Sequence, residues 1–365
     1  MEITRMELSA RYDKWMRSFG LITYPEIYAD SREDFIWHGY RPSPSSISYC
    51  LKSLFYPTNE TLNVWTHFIP FSLMIWRSYR IYQSLDDPTN PETYPFWFET
   101  FALIILFFSS SCAHLFSCRS GEGREICFCI DYGSIGITSF ALSVATNAYL
   151  CPLHCYGNLE DLFLPFPALL AVACGLIVCV TFISRHPSCQ QWKTLLRFFP
   201  FIALCWVLLT PCFHRFFVVK FPEIFENSRY VNLTECNLVK ERFPSEFILI
   251  LCLMNVTSLV IGIKIPERWF PGMFDIVGHS HQCFHILSAI CLYMTNVMAE
   301  NGMLDLIKLK RQGLLKDENL KFSFREWLMS FVFFLAIIFT SGFYASKVLG
   351  KIVQEQRRRS NLKKT

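Results

Sequence analysis

The amino-acid sequence predicts an all-α polytopic membrane helix bundle, on the basis of composition and hydropathy patterning. Of the 365 residues, 52% are hydrophobic, 16% are aromatic and only 18% are charged, whereas a soluble globular chain contains about 25% charged residues. A helix that crosses a bilayer needs about 20 predominantly apolar residues. Apolar runs of this length lie at 64–83, 96–117, 127–150, 162–184, 195–214, 245–265, 278–299 and 325–347.

These runs divide the chain into five regions. The polar N-terminal segment (1–61) lacks the apolar centre of a signal peptide, so we expect the first membrane helix to direct insertion. A seven-helix membrane core (62–300) follows it. The remaining regions are an extracellular loop (301–323), an eighth membrane helix (324–348) and a basic cytosolic tail (349–365).

Lys and Arg in short loops indicate which end of each span faces the cytosol. The N-terminal segment, the second loop and the fourth loop contain them, whereas the first and third loops, "QSLDDPTNPETYP" and "CPLHCYGNLED", contain none. This alternation places the N-terminus in the cytosol. The tail "EQRRRSNLKKT" is strongly basic and also favours the cytosol, which requires an even number of spans.

Expectations for glycosylation and for the cysteines follow from this topology. Asn232 begins an Asn-Leu-Thr sequon in the predicted extracellular fifth loop and is the expected glycan site. The sequon at Asn59 is predicted to be cytosolic and that at Asn255 lies within a span, so we expect neither to be modified. The 16 cysteines are scattered through apolar runs, where a free cysteine behaves as a small hydrophobic residue.

Four ionisable residues stand out because they lie inside predicted spans. An Asp in the middle of a span costs about 2.5–3.5 kcal/mol on the insertion scale, so such residues need a structural or functional reason. His114 lies near the end of the second span, Asp131 near the start of the third, and His281 and His285 in the first turns of the seventh. In the predicted topology all four lie at a similar depth, just inside the cytosolic boundary.

The spacing of these residues predicts a metal site. His281 and His285 are four residues apart and share one face of a helix, as do Ser110 and His114. Three imidazole nitrogens and a water make a tetrahedral Zn²⁺ site with an open position. Asp131 would hydrogen-bond that water or a ligand imidazole. The alternative is that each histidine is a hydrogen-bonded packing residue.

Other polar residues at the same boundary are expected to have structural roles. His279 is two residues from His281 and therefore points in a different direction. Glu60, Asn63 and His67 lie at the cytosolic end of the first span, where helix capping and packing explain them. Dinucleotide-binding, Walker and GxSxG motifs are absent from the sequence, as is a basic cluster with interleaved aromatic residues, so we expect no nucleic-acid partner.

Four segments together resemble the progestin and adipoQ receptor (PAQR) family: "NETLNVWTHFIPF", "SSSCAHLFSC", "DYGSIGI" and "ERWFPGMFDIVGHSHQCFHIL". The resemblance implies a seven-helix core with a cytosolic N-terminus. It also implies a zinc ion bound by three histidines, as in the family's adiponectin receptors and in the related alkaline ceramidases. This pattern maps onto His114, His281 and His285, with Ser110 and Asp131 beside the zinc.

Two further segments, "HGYRPSPSS" and "LFYPTNETLN", resemble the membrane progestin receptor branch of that family. The additional span at 325–347 also resembles this branch. The resemblance implies a plasma-membrane receptor that binds progestin-type steroids and couples to G proteins.

Three functions are open at this point. The first is a receptor for a steroid or another lipid, held in a bundle lined by apolar side chains. The second is a zinc-dependent hydrolase of a lipid amide such as ceramide, in which Asp131 accepts a proton from the water and Ser110 polarises the carbonyl or positions the water. The third is a non-catalytic lipid-binding protein whose zinc is structural.

Overall fold

A computed structural model describes residues 5–150, 243–313 and 324–362, together with short helical pieces between 174 and 224. These residues form helices, turns and loops, with an isolated β-bridge between Ile22 and Tyr40. The predicted all-α class is therefore confirmed. Most of the predicted spans at 162–184 and 195–214, and the expected glycan site at Asn232, lie outside the described residues.

The bundle is built from long helices that follow two shorter helices in the N-terminal segment. The shorter ones are α1 (Arg5–Ser18) and α2 (Ile47–Lys52). The long ones are α3 (Thr61–Ser84), α4 (Tyr94–Phe116), α5 (Gly121–Ala145), α6 (Phe243–Ile263), α7 (Ser280–Arg311) and α8 (Phe324–Leu362). Of the described helices, α4 to α8 are long and apolar enough to cross a membrane, which confirms a polytopic helix bundle.

Helix α3 agrees with the predicted first span in position but not in composition. The sequence predicts a span at 64–83, and the helix covers Thr61–Ser84. Its polar side chains, which include His67, Arg77 and Arg80, keep it below the hydropathy that marks the five apolar helices. α3 nevertheless packs against α4 and α7 and belongs to the bundle.

Residues at the helix starts, rather than the first apolar residue of each run, determine where α5 and α7 begin. The predicted third span begins at 127, but α5 begins at Gly121 because the Ser120 hydroxyl accepts a hydrogen bond from the Gly123 amide at 2.9 Å. α7 begins at Ser280, whose amide donates to the Glu267 carboxylate at 2.7 Å. Both contacts satisfy amides that have no partner within the first helical turn.

Helices α7 and α8 extend well past the predicted ends of their apolar runs. α7 continues to Arg311, into the predicted extracellular loop, and α8 continues to Leu362, through most of the predicted basic tail. At 1.5 Å per residue, these helices are about 48 and 58 Å long, whereas the hydrocarbon core of a bilayer is about 30 Å thick. Each helix therefore has a polar portion that projects beyond the apolar part of the membrane.

Helix α8 packs closely against α5. Phe140 of α5 stacks on Phe334 of α8, with ring centroids 5.6 Å apart. Gly136 permits this approach, since a Cβ atom there would lie 2.6 Å from the Val178 side chain and 3.2 Å from Phe334. The eighth helix is thus an integral part of the packed bundle.

The N-terminal segment covers the end of the bundle at which α4 ends and α5 and α7 begin. The buried Arg41 guanidinium donates hydrogen bonds to the carbonyl oxygens of His114 and Leu115, at 2.5 and 2.8 Å. These bonds satisfy carbonyl groups that the last turn of a helix leaves unpaired. Asp275, in the loop before α7, accepts a hydrogen bond from the His38 amide at 2.8 Å. The segment therefore connects the helices that carry the predicted metal ligands.

Candidate metal centre

The three predicted metal ligands meet at one end of the bundle. His114 lies in the last turn of α4, and His281 and His285 lie in the first two turns of α7. One ring nitrogen from each lies within 4.8 Å of the others, and the Nε2 atoms of His114 and His281 are 3.2 Å apart. Three of the four residues that share the predicted depth therefore form a cluster, called the histidine cluster below.

The start of α7 sets the direction of its histidines. The Ser280 amide and hydroxyl both donate to the Glu267 carboxylate, which fixes the first turn. The two α7 histidines are one turn apart and project from the same face. His279 precedes the helix, and its Nε2 atom lies 3.0 Å from the Asn59 carbonyl oxygen. As its spacing predicts, His279 is not part of the cluster.

A carboxylate at the start of α3 holds the outer nitrogen of His114. The Nδ1 atom lies 2.7 Å from Glu60 Oε2. The same oxygen accepts a hydrogen bond from the side-chain amide of Asn63, at 2.8 Å. Such a contact fixes the ring orientation and leaves Nε2 for a metal. The capping role expected for Glu60 is wrong, since its side chain makes no capping hydrogen bond to α3. One feature of the sequence could have indicated its contact with His114: Glu60 is predicted to lie at the same membrane boundary as the histidines.

Helix α3 also holds the outer nitrogen of His285. That Nδ1 atom lies 3.1 Å from the Asn63 carbonyl oxygen and 3.1 Å from the Thr66 hydroxyl, so Nε2 remains for a metal. His67 stacks on His285, with ring centroids 3.8 Å apart and 8° between the planes. The packing role predicted for His67 agrees with this contact.

Ser110 and Asp131, the residues predicted to lie beside the zinc, are both buried. Ser110 lies one turn before His114 on α4, and Asp131 lies on α5. Among the described residues, the ligand atoms that meet within 4.8 Å come from the three histidines and do not include the Asp131 carboxylate. The described cluster therefore offers nitrogen donors alone.

The chemistry of this donor set suits zinc. Imidazole nitrogens are common Zn²⁺ ligands, and a site with three protein ligands leaves a fourth position for water or substrate. The contacts to Glu60 and Asn63 are of the kind that orients metal-binding histidines. The cluster can hold a metal ion, and its residues fit zinc.

Sequence comparison relates this arrangement to a known family. The family model described as haemolysin-III related matches residues 55–295. The matched range runs from the residues before α3 into α7, and it includes all three histidines.

Membrane progestin receptors are similar to most of this chain. The gamma-A receptor of Danio rerio is 30% identical in an alignment over 304 residues that covers 78% of this chain and 84% of that protein. The gamma receptor of Mus musculus is 29% identical over 322 residues, with 87% and 85% covered. The delta receptor of Homo sapiens is 30% identical over 279 residues, with 74% and 76% covered. The chain therefore belongs to the haemolysin-III-related family, which is the PAQR family.

Proposed function

We propose that this chain is a plasma-membrane receptor for progestin-type steroids, built around a zinc ion bound by His114, His281 and His285. Relatives named membrane progestin receptors align with 74–87% of the chain and support the steroid class. The apolar helices of span length support a multi-pass location in the bilayer. The cytosolic partner in this proposal is a heterotrimeric G protein, as the family resemblance implies.

The histidine cluster is the observation that carries the zinc part of the proposal. It joins the end of α4 to the start of α7, and residues at the start of α3 contact its outer nitrogens. A metal ion there would hold three helices together at one end of the bundle. A steroid bound among these helices would then favour one of two arrangements of the rest of the bundle.

Binding measurements on purified full-length protein test this function. We expect about one zinc per chain, as a single three-histidine site implies, together with saturable binding of radiolabelled progesterone. Removal of zinc by a chelator should weaken steroid binding, and zinc should restore it. Progesterone-dependent nucleotide exchange on a co-reconstituted G protein tests the partner. Zinc-loaded protein that binds no steroid would contradict the receptor function.

A zinc-dependent lipid amide hydrolase is the second candidate, and the number of protein ligands favours it. Three histidines meet in the described cluster, and three protein ligands with an open position are typical of catalytic zinc sites. In this candidate function Asp131 would accept a proton from the attacking water, and Ser110 would polarise the amide carbonyl or position the water. The substrate would be a lipid amide of the ceramide type.

Asp131→Asn separates the two functions. The substitution keeps the shape of the side chain but removes its ability to accept a proton. A hydrolase should retain its zinc and lose ceramide turnover, whereas a receptor should show no wild-type turnover above a metal-stripped control. Zinc-loaded protein that neither hydrolyses ceramide nor binds steroid would indicate that zinc has only a structural role.

A further inference from the structure

The loop between α6 and α7, residues 264–279, exposes a group of large apolar side chains. These are Trp269, Phe270, Met273 and Val277, each 53–73% exposed, and they are called the apolar loop surface below. Trp37 of the N-terminal segment extends this surface, because its ring lies against Gly272, where a Cβ atom would be 3.1 Å from it. Exposed apolar patches mark surfaces that contact a membrane or another molecule.

The acidic side chains of this loop point into the protein instead. Glu267 is buried and accepts hydrogen bonds from the Ser280 amide and hydroxyl. Asp275 is buried and accepts hydrogen bonds from two backbone amides of the N-terminal segment, at 3.1 and 2.8 Å. Among the charged residues of the loop, Arg268 is the exposed one. A cation beside exposed aromatic rings suits the headgroup layer of a bilayer, where Trp is enriched and lipid phosphates are anionic.

The backbone of the loop is also suited to contact with lipid. The amides of Arg268, Trp269, Phe270, Gly272 and Met273 donate to carbonyl oxygens of the protein at 2.9–3.3 Å, and Pro271 has no amide hydrogen. Hydrocarbon accepts no hydrogen bonds, so a backbone amide that contacts lipid must be paired within the protein. The most exposed part of the loop meets this requirement at every residue.

Exposed apolar faces of the two adjoining helices lead directly to the loop. Their residues are Val256, Leu259 and Ile263 on α6, and Ile286, Ile290 and Tyr293 on α7. In each helix the spacing of three or four residues places them on one face. Both helices are long and apolar enough to cross a membrane. The apolar loop surface therefore continues two faces that lipid covers.

We propose that the apolar loop surface is a membrane contact, in which Trp269, Phe270 and Met273 lie among the lipids of the headgroup layer. Lipid is the occupant because the surface continues two membrane-facing helix faces and carries a cation without an exposed acid. Glu267 of the same loop holds the first turn of α7, so the contact supports the end of the bundle that carries the histidine cluster. The inference goes beyond the proposed steroid-receptor function and does not depend on it.

Fluorine NMR of the full-length protein labelled with fluorotryptophan locates Trp269 relative to lipid. The protein is reconstituted in nanodiscs of phosphatidylcholine and phosphatidylserine. Trp269→Phe, or Trp269→Tyr if the first variant folds poorly, identifies the signal among the nine tryptophans. One sample contains a lipid with a nitroxide on the upper part of its acyl chain, and another contains a water-soluble gadolinium chelate. The nitroxide should remove the Trp269 signal, whereas gadolinium should leave most of its intensity.

Two references calibrate these labels. Trp76 is exposed on α3, within the predicted first span, and should lose its signal with the nitroxide and keep it with gadolinium. Free fluorotryptophan in the buffer should do the reverse. Trp76→Phe identifies the Trp76 signal and is the matched control, since it should leave the response of Trp269 to both labels unchanged.

Two outcomes would overturn the inference. One is a Trp269 signal that gadolinium removes and the nitroxide spares, which would leave the apolar loop surface to a soluble protein partner. The other is equal loss with both labels, because a side chain among lipids is shielded from the chelate. Neither outcome affects the steroid and zinc proposals, which ligand and metal binding test separately.

Discussion

His279 and His281 are only two residues apart, yet they have different surroundings. His279 precedes the first turn of α7 and contacts the Asn59 carbonyl oxygen. His281 lies inside that turn, and its Nε2 atom faces the Nε2 atom of His114. Two residues correspond to about 200° of rotation about a helix axis. The position of the helix start, fixed by Glu267, therefore decides which imidazole faces α4.

We predict that zinc binding depends on the histidines of the cluster and not on their neighbour. His281→Ala and His285→Ala should each lose stoichiometric zinc, because removal of one of three protein ligands leaves an incomplete donor set. His279→Ala is the matched control and should retain about one zinc per chain. Elemental analysis of the purified variants measures this. Stoichiometric zinc in all three variants would contradict the ligand assignment.

We predict that Glu60→Gln weakens zinc binding without abolishing it. The glutamine side chain lacks the negative charge of the Glu60 carboxylate, which accepts a hydrogen bond from His114 Nδ1. Loss of such an orienting partner costs about 10–100-fold in metal affinity. Competition with a chelator of known affinity measures the change. Asp87→Asn, in the loop before α4, is the control: among the hydrogen bonds described for it, the Asp87 carboxylate contacts only Thr89. Equal zinc affinity in Glu60→Gln and in this control would refute the role of Glu60.

Sequence alone identified the three histidines because two signals converged on them. They share a predicted depth, and two of them are four residues apart. The role of Glu60 was not predictable in the same way. Its contact with His114 joins the start of α3 to the end of α4, and local capping propensity says nothing about such a contact between helices.

At the scale of the helices, apolar runs predicted the spans better than they predicted the helix ends. The second run, at 96–117, closely matches α4, which covers Tyr94–Phe116. The seventh and eighth runs end many residues before α7 and α8 do. An apolar run ends where side chains leave the hydrocarbon, whereas a helix continues until its backbone hydrogen bonds are interrupted. The two boundaries therefore differ whenever a helix projects from the membrane.

We predict that docking of the N-terminal segment on the loop before α7 depends on pH. The hydrogen bond from His38 to the Asp275 carboxylate, at 2.7 Å, raises the pKa of His38 above its ordinary value of 6.5 despite partial burial. Asp13 and the Tyr12 ring also face this imidazole. Because the folded-state pKa is raised, the stabilisation is present in full below about pH 6.5 and is lost as the pH rises through the folded-state value.

Thermal unfolding of the detergent-solubilised protein, measured below pH 6.5 and above the folded-state pKa of His38, tests this prediction. The wild type should unfold at a higher temperature than Asp275→Asn, and this difference should be larger at low pH than at high pH. The reason is that the variant has no charge to pair with protonated His38. Asp34→Asn is the matched control, because Asp34 contacts a lysine, Lys264, rather than a histidine at the same interface. An identical pH dependence in Asp275→Asn and the wild type would exclude the contact as its source.

At the scale of the whole molecule, the N-terminal segment meets the end of α8. Arg357, near the end of α8, donates to the Asp30 carboxylate at 2.6 Å, and its guanidinium lies 4.4 Å from the Tyr28 ring centroid. Gln354 contacts Glu122 at the start of α5. Groups in direct contact lie on the same side of a bilayer, so an even number of spans must separate the N-terminal segment from the end of α8. The eight spans that the sequence predicts meet this requirement, whereas seven would not.

We predict that this shared side is the cytosol. Basic residues concentrate in the N-terminal segment, in the second and fourth loops and at the end of α8, and basic short loops remain cytosolic during insertion. Epitope tags at either terminus of the full-length protein should therefore be stained in cells only after permeabilisation.

Asn232 should be the only glycosylated sequon, because the other two are predicted to be cytosolic or within a span. Asn232→Gln should remove the mobility shift caused by glycosidase, and Asn59→Gln should not. Staining of a C-terminal tag on intact cells would contradict the model, and so would a glycan that survives Asn232→Gln. Either result would place the histidine cluster, which lies at the same end as Arg41 and the N-terminal segment, near the extracellular boundary.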